Sequence, residues 1–197
     1  LFKRLESSGK VFLQSLERHI LRNYIFLYAI ENNLPLPIGT QDAAMLDTRT
    51  SDVDVDETNT TLGLFEIEDE NEETTVPAGD ALVEHLSEAE FKRRAKEVYE
   101  LYASQYKRRF KWLRSDLFQK RLATHLLKDA RALLDVIRMS GDWNASEDAK
   151  LNRLVELVTR THAREKIIVF TQFADTVSYL ERELKGRGIR SVAGATG

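Results

Sequence analysis

The chain has no cysteine, which excludes disulfide staples and thiolate metal sites and fits an intracellular, cytoplasmic protein. No apolar run reaches the length of a membrane span, and no signal-peptide pattern opens the sequence. The phosphate cradle G-x-x-x-x-G-K-[ST] is missing too; Gly186-Arg187-Gly188 reads only as a helix end. His19, His85, His125 and His162 lack the spacing of metal ligands, and no Ser/His/Asp order stands out as a nucleophilic triad. Asp52, Asp54 and Asp56 begin like a calcium loop. The sixth position is Glu57 where glycine is needed, and the twelfth is Gly63 where glutamate is needed, so that reading fails. No independent active site is left.

What is present is a strong segregation of charge. The formal net charge is −3. Residues 42–90 carry 16 Asp/Glu against one Arg, and residues 91–141 carry 14 Lys/Arg against 5 Asp/Glu. The whole-chain balance therefore says little about partners. With 42% hydrophobic residues and nine Phe, the 197-residue chain is long enough to bury a core.

Residues 1–41 form a first, helical part, with helix expected from Leu1 to Asn32. Leu1, Leu5, Phe12, Leu16, Ile20, Leu27 and Ile30 fall near one face, with Lys3, Arg4, Arg18 and Arg22 outside it. Gly9 marks a weak point or bend, and Asn32-Asn33 followed by Pro35 and Pro37 ends the helix. Residues 42–86 read as an acidic insertion or tether, with a short strand conceivable only at Thr61–Ile67.

Residues 87–141 resume as long basic helices. Ser87 and Glu90 form a capping box. One helical stripe runs through Phe91, Ala95, Val98, Tyr102, Tyr106, Phe110, Leu113 and Leu117. A second runs through Phe118, Leu122, Leu126, Leu133 and Ile137, and Gly141 closes it. These helices are expected to pack on the first one. The run Tyr106-Lys107-Arg108-Arg109-Phe110-Lys111-Trp112 has two readings. Lys107, Arg108, Arg109 and Lys111 are candidates for holding a duplex backbone, or they are the solvated face of a helix whose Tyr106, Phe110 and Leu113 are core. The opposed charges also suggest an intramolecular contact, the acidic segment folding onto the basic face as a mimic of DNA. Residues 142–165 form a linker helix, capped by Asn144 or Ser146.

Residues 166–197 change character. Ile167, Ile168, Val169 and Phe170 form an unbroken apolar run of the kind found in strands covered on both faces. Phe173, Val177, Leu180 and Leu184 recur as one helix face, and Ile189–Val192 can serve as a second, parallel strand. The expected fold is mainly α with a C-terminal βαβ unit. A lone βαβ unit hides too little surface to be a finished fold, and the chain opens at Leu1 without methionine. The expectation is a fragment of a larger protein.

The order of an apolar strand, Thr171-Gln172-Phe173, Asp175-Thr176, an amphipathic helix and Gly194-Ala195-Thr196 resembles motif IV, and the turn after it, in the second RecA-like lobe of bacterial Swi/Snf-type ATPases. These are superfamily 2 helicase-like DNA translocases. Asp148-Ala149-Lys150-Leu151 is similar to the element that leads into motif IV there, and the opening LFKRLESS is similar to a segment before the helical protrusion. Thr171 replaces the usual Ser, Ala195 the second Ser of the turn, and Ala193 a common Asp. The resemblance implies ATP and Mg2+ in the parent protein, held by a Walker A and acidic boxes outside this chain. It implies double-stranded DNA and the missing RecA-like lobe as partners, with no membrane. It also implies that Thr171, Gln172, Gly194, Ala195 and Thr196 contact the DNA backbone, and that this piece alone does not hydrolyse ATP. The competing expectation is a non-catalytic helical interaction module attached to another α/β domain.

Overall fold

The computed structural model describes residues 2–39 and 87–196. The expected acidic tether, its short strand and its fold-back onto the basic face lie outside the described residues. Among these, the chain is mainly helical, with six α-helices and one two-stranded sheet. Helix α1 spans Phe2–Ser7 and α2 spans Gly9–Glu31, so the expected weak point is a break at Ser8. Helix α2 stops where the sequence runs out of helix formers. Asn33 takes a left-handed φ of 54°, a conformation asparagine tolerates better than most residues.

Helix α3, Glu88–Ser104, starts at Ser87, whose Oγ accepts from the Glu90 N–H at 3.2 Å. Only half of the capping box forms, because the Glu90 carboxylate turns to Arg93 instead. Helix α4 spans Arg121–Ser140 and ends at Gly141, φ 64°. Both α3 and α4 pack on α2 and share a core with it: Leu16, Ile20, Tyr24, Ile25, Phe91, Tyr102, Leu134 and Ile137 are all buried there.

The stripe expected to run on as helix through Tyr106, Phe110, Leu113 and Leu117 stops at Ser104. A short 3-10 turn at Lys107–Arg109 leads into a strand, β2, Lys111–Leu113. It pairs antiparallel with β1, Leu36–Ile38, in the register Leu36 to Leu113, Pro37 to Trp112 and Ile38 to Lys111. The reason is aromatic packing. Phe110 lies 4.5 Å from Tyr102, and Trp112 stands edge-on to both Tyr99 and Phe110, at 5.9 and 6.1 Å. Residues two apart lie on one face only if the chain is extended. Leu113 and Leu117, expected in the core, are 40% and 69% exposed.

Tyr24 is 2% exposed and stacks on Phe91 at 6.1 Å, yet its hydroxyl has no hydrogen-bond partner among the described residues. Burial pushes its phenol up to about 12. Tyr24→Phe removes an unsatisfied polar atom while keeping the ring. It is expected to be neutral or stabilising by up to about 1 kcal/mol in urea titrations at pH 7. The sign with pH follows from linkage. Between about 10, where an unfolded tyrosine ionises, and about 12, the native state holds the extra proton, so stability falls as pH rises through that window. The Phe variant lacks this loss.

The C-terminal part has a smaller core of its own. Helix α5, Ala149–Glu156, continues through a π turn at Leu157–Thr161, and helix α6 spans Ala174–Gly186. Asn144 caps only a short 3-10 turn. The cap of α5 is Asp148, whose Oδ1 accepts from the Lys150 and Leu151 N–H groups at 3.0 and 3.1 Å. Val11, Leu151, Tyr179 and Leu184 are buried together. The two segments expected as parallel strands form no strand and carry no ladder, and the second bends at Ser191. Ile168 and Phe170 are 76% and 90% exposed. Two parallel strands under one helix bury too little to hold a ladder by themselves.

Candidate nucleic-acid interface

The candidate residues fall at two places. Around α6, residues of segments 166–171 and 189–194 line an open trough of about 520 Å³ together with Leu154 and Val158 and the α6 face of Val177, Leu180 and Leu184. Thr171 and Gly194 both line it. The helix period placed Val177, Leu180 and Leu184 on one face, and that face lines the trough. Phe173 stands just before α6, with the Arg4 guanidinium 4.5 Å over its ring.

Thr171 is half-buried, and its hydroxyl lies 3.2 Å from Ser7 Oγ, itself 2.8 Å from Thr176 Oγ1. Its polar atom is thus already engaged inside the protein. Gln172, one residue on, is exposed just ahead of α6, whose first N–H groups have no acceptor four residues back along the helix. Gly194 sits hard against α6. A Cβ there would lie 2.6 Å from Val177 Cγ1 and 2.7 Å from Glu181 Oε2. Lys185 and the Gly194 backbone hold the Glu181 carboxyl below the usual range. That anion disfavours a phosphate at Gly194. Ala195 and Thr196 are exposed beyond it.

Lys107, Arg108, Arg109 and Lys111 occupy the 3-10 turn and β2, all exposed and anchored by Phe110 and Trp112. The Trp112 indole N–H donates to the Lys107 carbonyl at 2.7 Å, and Arg109 lies 5.3 Å over the Tyr106 ring. This patch belongs to the helical core, and residues 171–194 belong to the smaller one.

The sequence reading placed Arg4 and Arg18 outside the packed face. They are 7% and 4% exposed. Arg4 Nη1 donates to Asp175 Oδ2 at 2.9 Å, and Arg18 donates from Nη1 to Oδ2 at 2.7 Å and from Nη2 to Oδ1 at 2.9 Å. The overlooked signal was spacing. Val11 and Arg18 are seven residues apart on α2, close to two helical turns, so they share a face; Arg4 lies on α1, across the break at Ser8. Val11 is fully buried against the smaller core.

Among the described residues no three His, Asp or Glu side chains converge as metal ligands. Nor is any described helix long and apolar enough to cross a membrane. Comparisons with protein-family models, curated proteins and solved structures find no match to the chain.

Proposed function

We propose that the chain supplies the helical protrusion and the opening strand–helix element of the second RecA-like lobe of a Swi/Snf-type ATPase, a motor that moves along double-stranded DNA. ATP and Mg2+ act in the parent protein, and this piece contributes a grip on the DNA backbone. The observation that carries the reading is the apolar run Ile167–Phe170, which leads through an exposed Gln172 into α6. A neutral amide beside a helix N-terminus suits a phosphate contact that reads no sequence. The basic turn supplies a second, purely electrostatic hold. In such motors the second lobe grips the duplex and closes on the first as nucleotide binds.

Within this reading the two places are separable by salt. Lys107→Ala with Arg108→Ala and Lys111→Ala removes three exposed cations. It is expected to reduce the slope of log affinity against log salt by about 2–3. Gln172→Ala removes a neutral donor and should leave that slope unchanged while weakening binding about 2–10-fold. Fluorescence anisotropy with a labelled duplex measures both. Wild-type affinity and slope in both variants contradict the proposal. A second reading, a non-catalytic helical interaction module, draws support from the helical part having a core of its own. It predicts loss of binding only in the cation variant.

A further inference from the structure

We infer that Asp175, gripped by Arg4 and Arg18, is a latch that holds two separately cored bodies together and lets them part as units when it opens. This inference does not rest on the proposed function. The helical body of α2, α3, α4 and the sheet has one hydrophobic cluster, and α5 with α6 has another. From α2, only Val11 is buried in the second. Beside Val11, Gly9 lies against the Trp143 ring and Arg4 over the Phe173 ring. The hydrogen bonds of the joint include those of the two arginines on Asp175, of Ser7 between Thr171 and Thr176, and of Lys150 donating to the Glu6 carbonyl.

Such a joint differs physically from an apolar one. An apolar contact is non-directional and scales with the area it covers. Arg18 meets Asp175 through two parallel N–H···O bonds, a geometry that is either made or broken. Once it breaks, water receives all three charges, so the open state carries no buried orphan. Polar interfaces within one chain are also the ones across which bodies move. The connection between the bodies starts at Gly141, φ 64°. Trp143 and Ala145 already pack on the smaller core, so the turning point is at Gly141 and Asp142, ahead of them.

The absence of native cysteine makes the test direct. Spin labels at Glu31→Cys on α2 and Ser178→Cys on α6, both exposed, report the distance between bodies. Labels at Ala149→Cys and Ser178→Cys report the distance within the smaller body. In the wild type each pair should give one narrow distribution by pulsed electron resonance. Asp175→Asn, and more weakly Arg4→Gln, should add a longer population to the first pair and leave the second unchanged. An unchanged first pair in both variants overturns the inference. So does broadening of both pairs together, or loss of the α2–α4 helices by circular dichroism, since each means unfolding instead of parting.

Discussion

Phe91→Ala is expected to lower the stability of the helical body by about 3–5 kcal/mol, the range for truncating a fully buried aromatic side chain. Phe91 is 1% exposed on the first turn of α3 and stacks on Tyr24 of α2. Its neighbours cannot close the gap easily. Ala95, one turn further along α3, is already as small as a side chain with a Cβ can be, and Tyr24 is held among Ile20, Leu21 and Ile25. Urea denaturation followed by far-ultraviolet circular dichroism measures the loss as a shift in midpoint at constant slope. A loss under about 1 kcal/mol would mean that α3 does not pack on α2 as described.

Gly9→Ala is expected to destabilise by about 1–3 kcal/mol, the usual cost of forcing extra volume into a packed site. Helix propensity alone predicts the opposite sign, a gain of up to about 1 kcal/mol, because Gly9 is the first residue of α2. The difference is Trp143. A Cβ on Gly9 would fall within the indole ring's own contact distance, striking Cζ3 and Cη2. Trp143 has little room to retreat. Its ring stands edge-on to Tyr179 at 6.4 Å, and its N–H donates to the Tyr179 hydroxyl at 3.1 Å, which in turn donates to Asp148 at 2.9 Å. Displacing the indole therefore disturbs the cap of α5 as well. Thermal unfolding followed by Trp143 fluorescence in a Trp112→Phe background reads the change. A stabilised Ala variant would show that propensity outweighs the contact.

Local signals carried much of the fold. Ser87 announces the start of α3, Asn33 and the two prolines announce the end of α2, and the row Val177, Leu180, Leu184 announces α6. The stripe beyond Ser104 misled because Tyr106, Phe110 and Leu113 fit a helical spacing. The alternation Phe110-Lys111-Trp112 was the competing pattern, and packing on Tyr99 and Tyr102 decided it. Ile167–Phe170 reads as a buried strand by composition, but a ladder depends on partners that no local pattern supplies.

At the candidate site the limits were of the same kind. Gln172 and the basic turn were legible as exposed polar groups in plausible positions. The burial of Arg4 and Arg18 was not, since their shared partner Asp175 lies 171 and 157 residues away along the chain. The engagement of Thr171 by Ser7 was hidden in the same way. Long-range polar pairs leave no periodic trace beyond the weak one of Val11 and Arg18 on α2.

The central claim is a grip on duplex DNA that is indifferent to sequence, and one titration tests it most directly. The whole chain is titrated with two duplexes of unrelated sequence between about 50 and 200 mM salt. The account predicts affinities within about twofold of each other, both falling linearly on a log–log plot with a slope near −0.9 per phosphate engaged. No binding to either duplex at the lowest salt, or a preference of about tenfold or more for one of them, contradicts it.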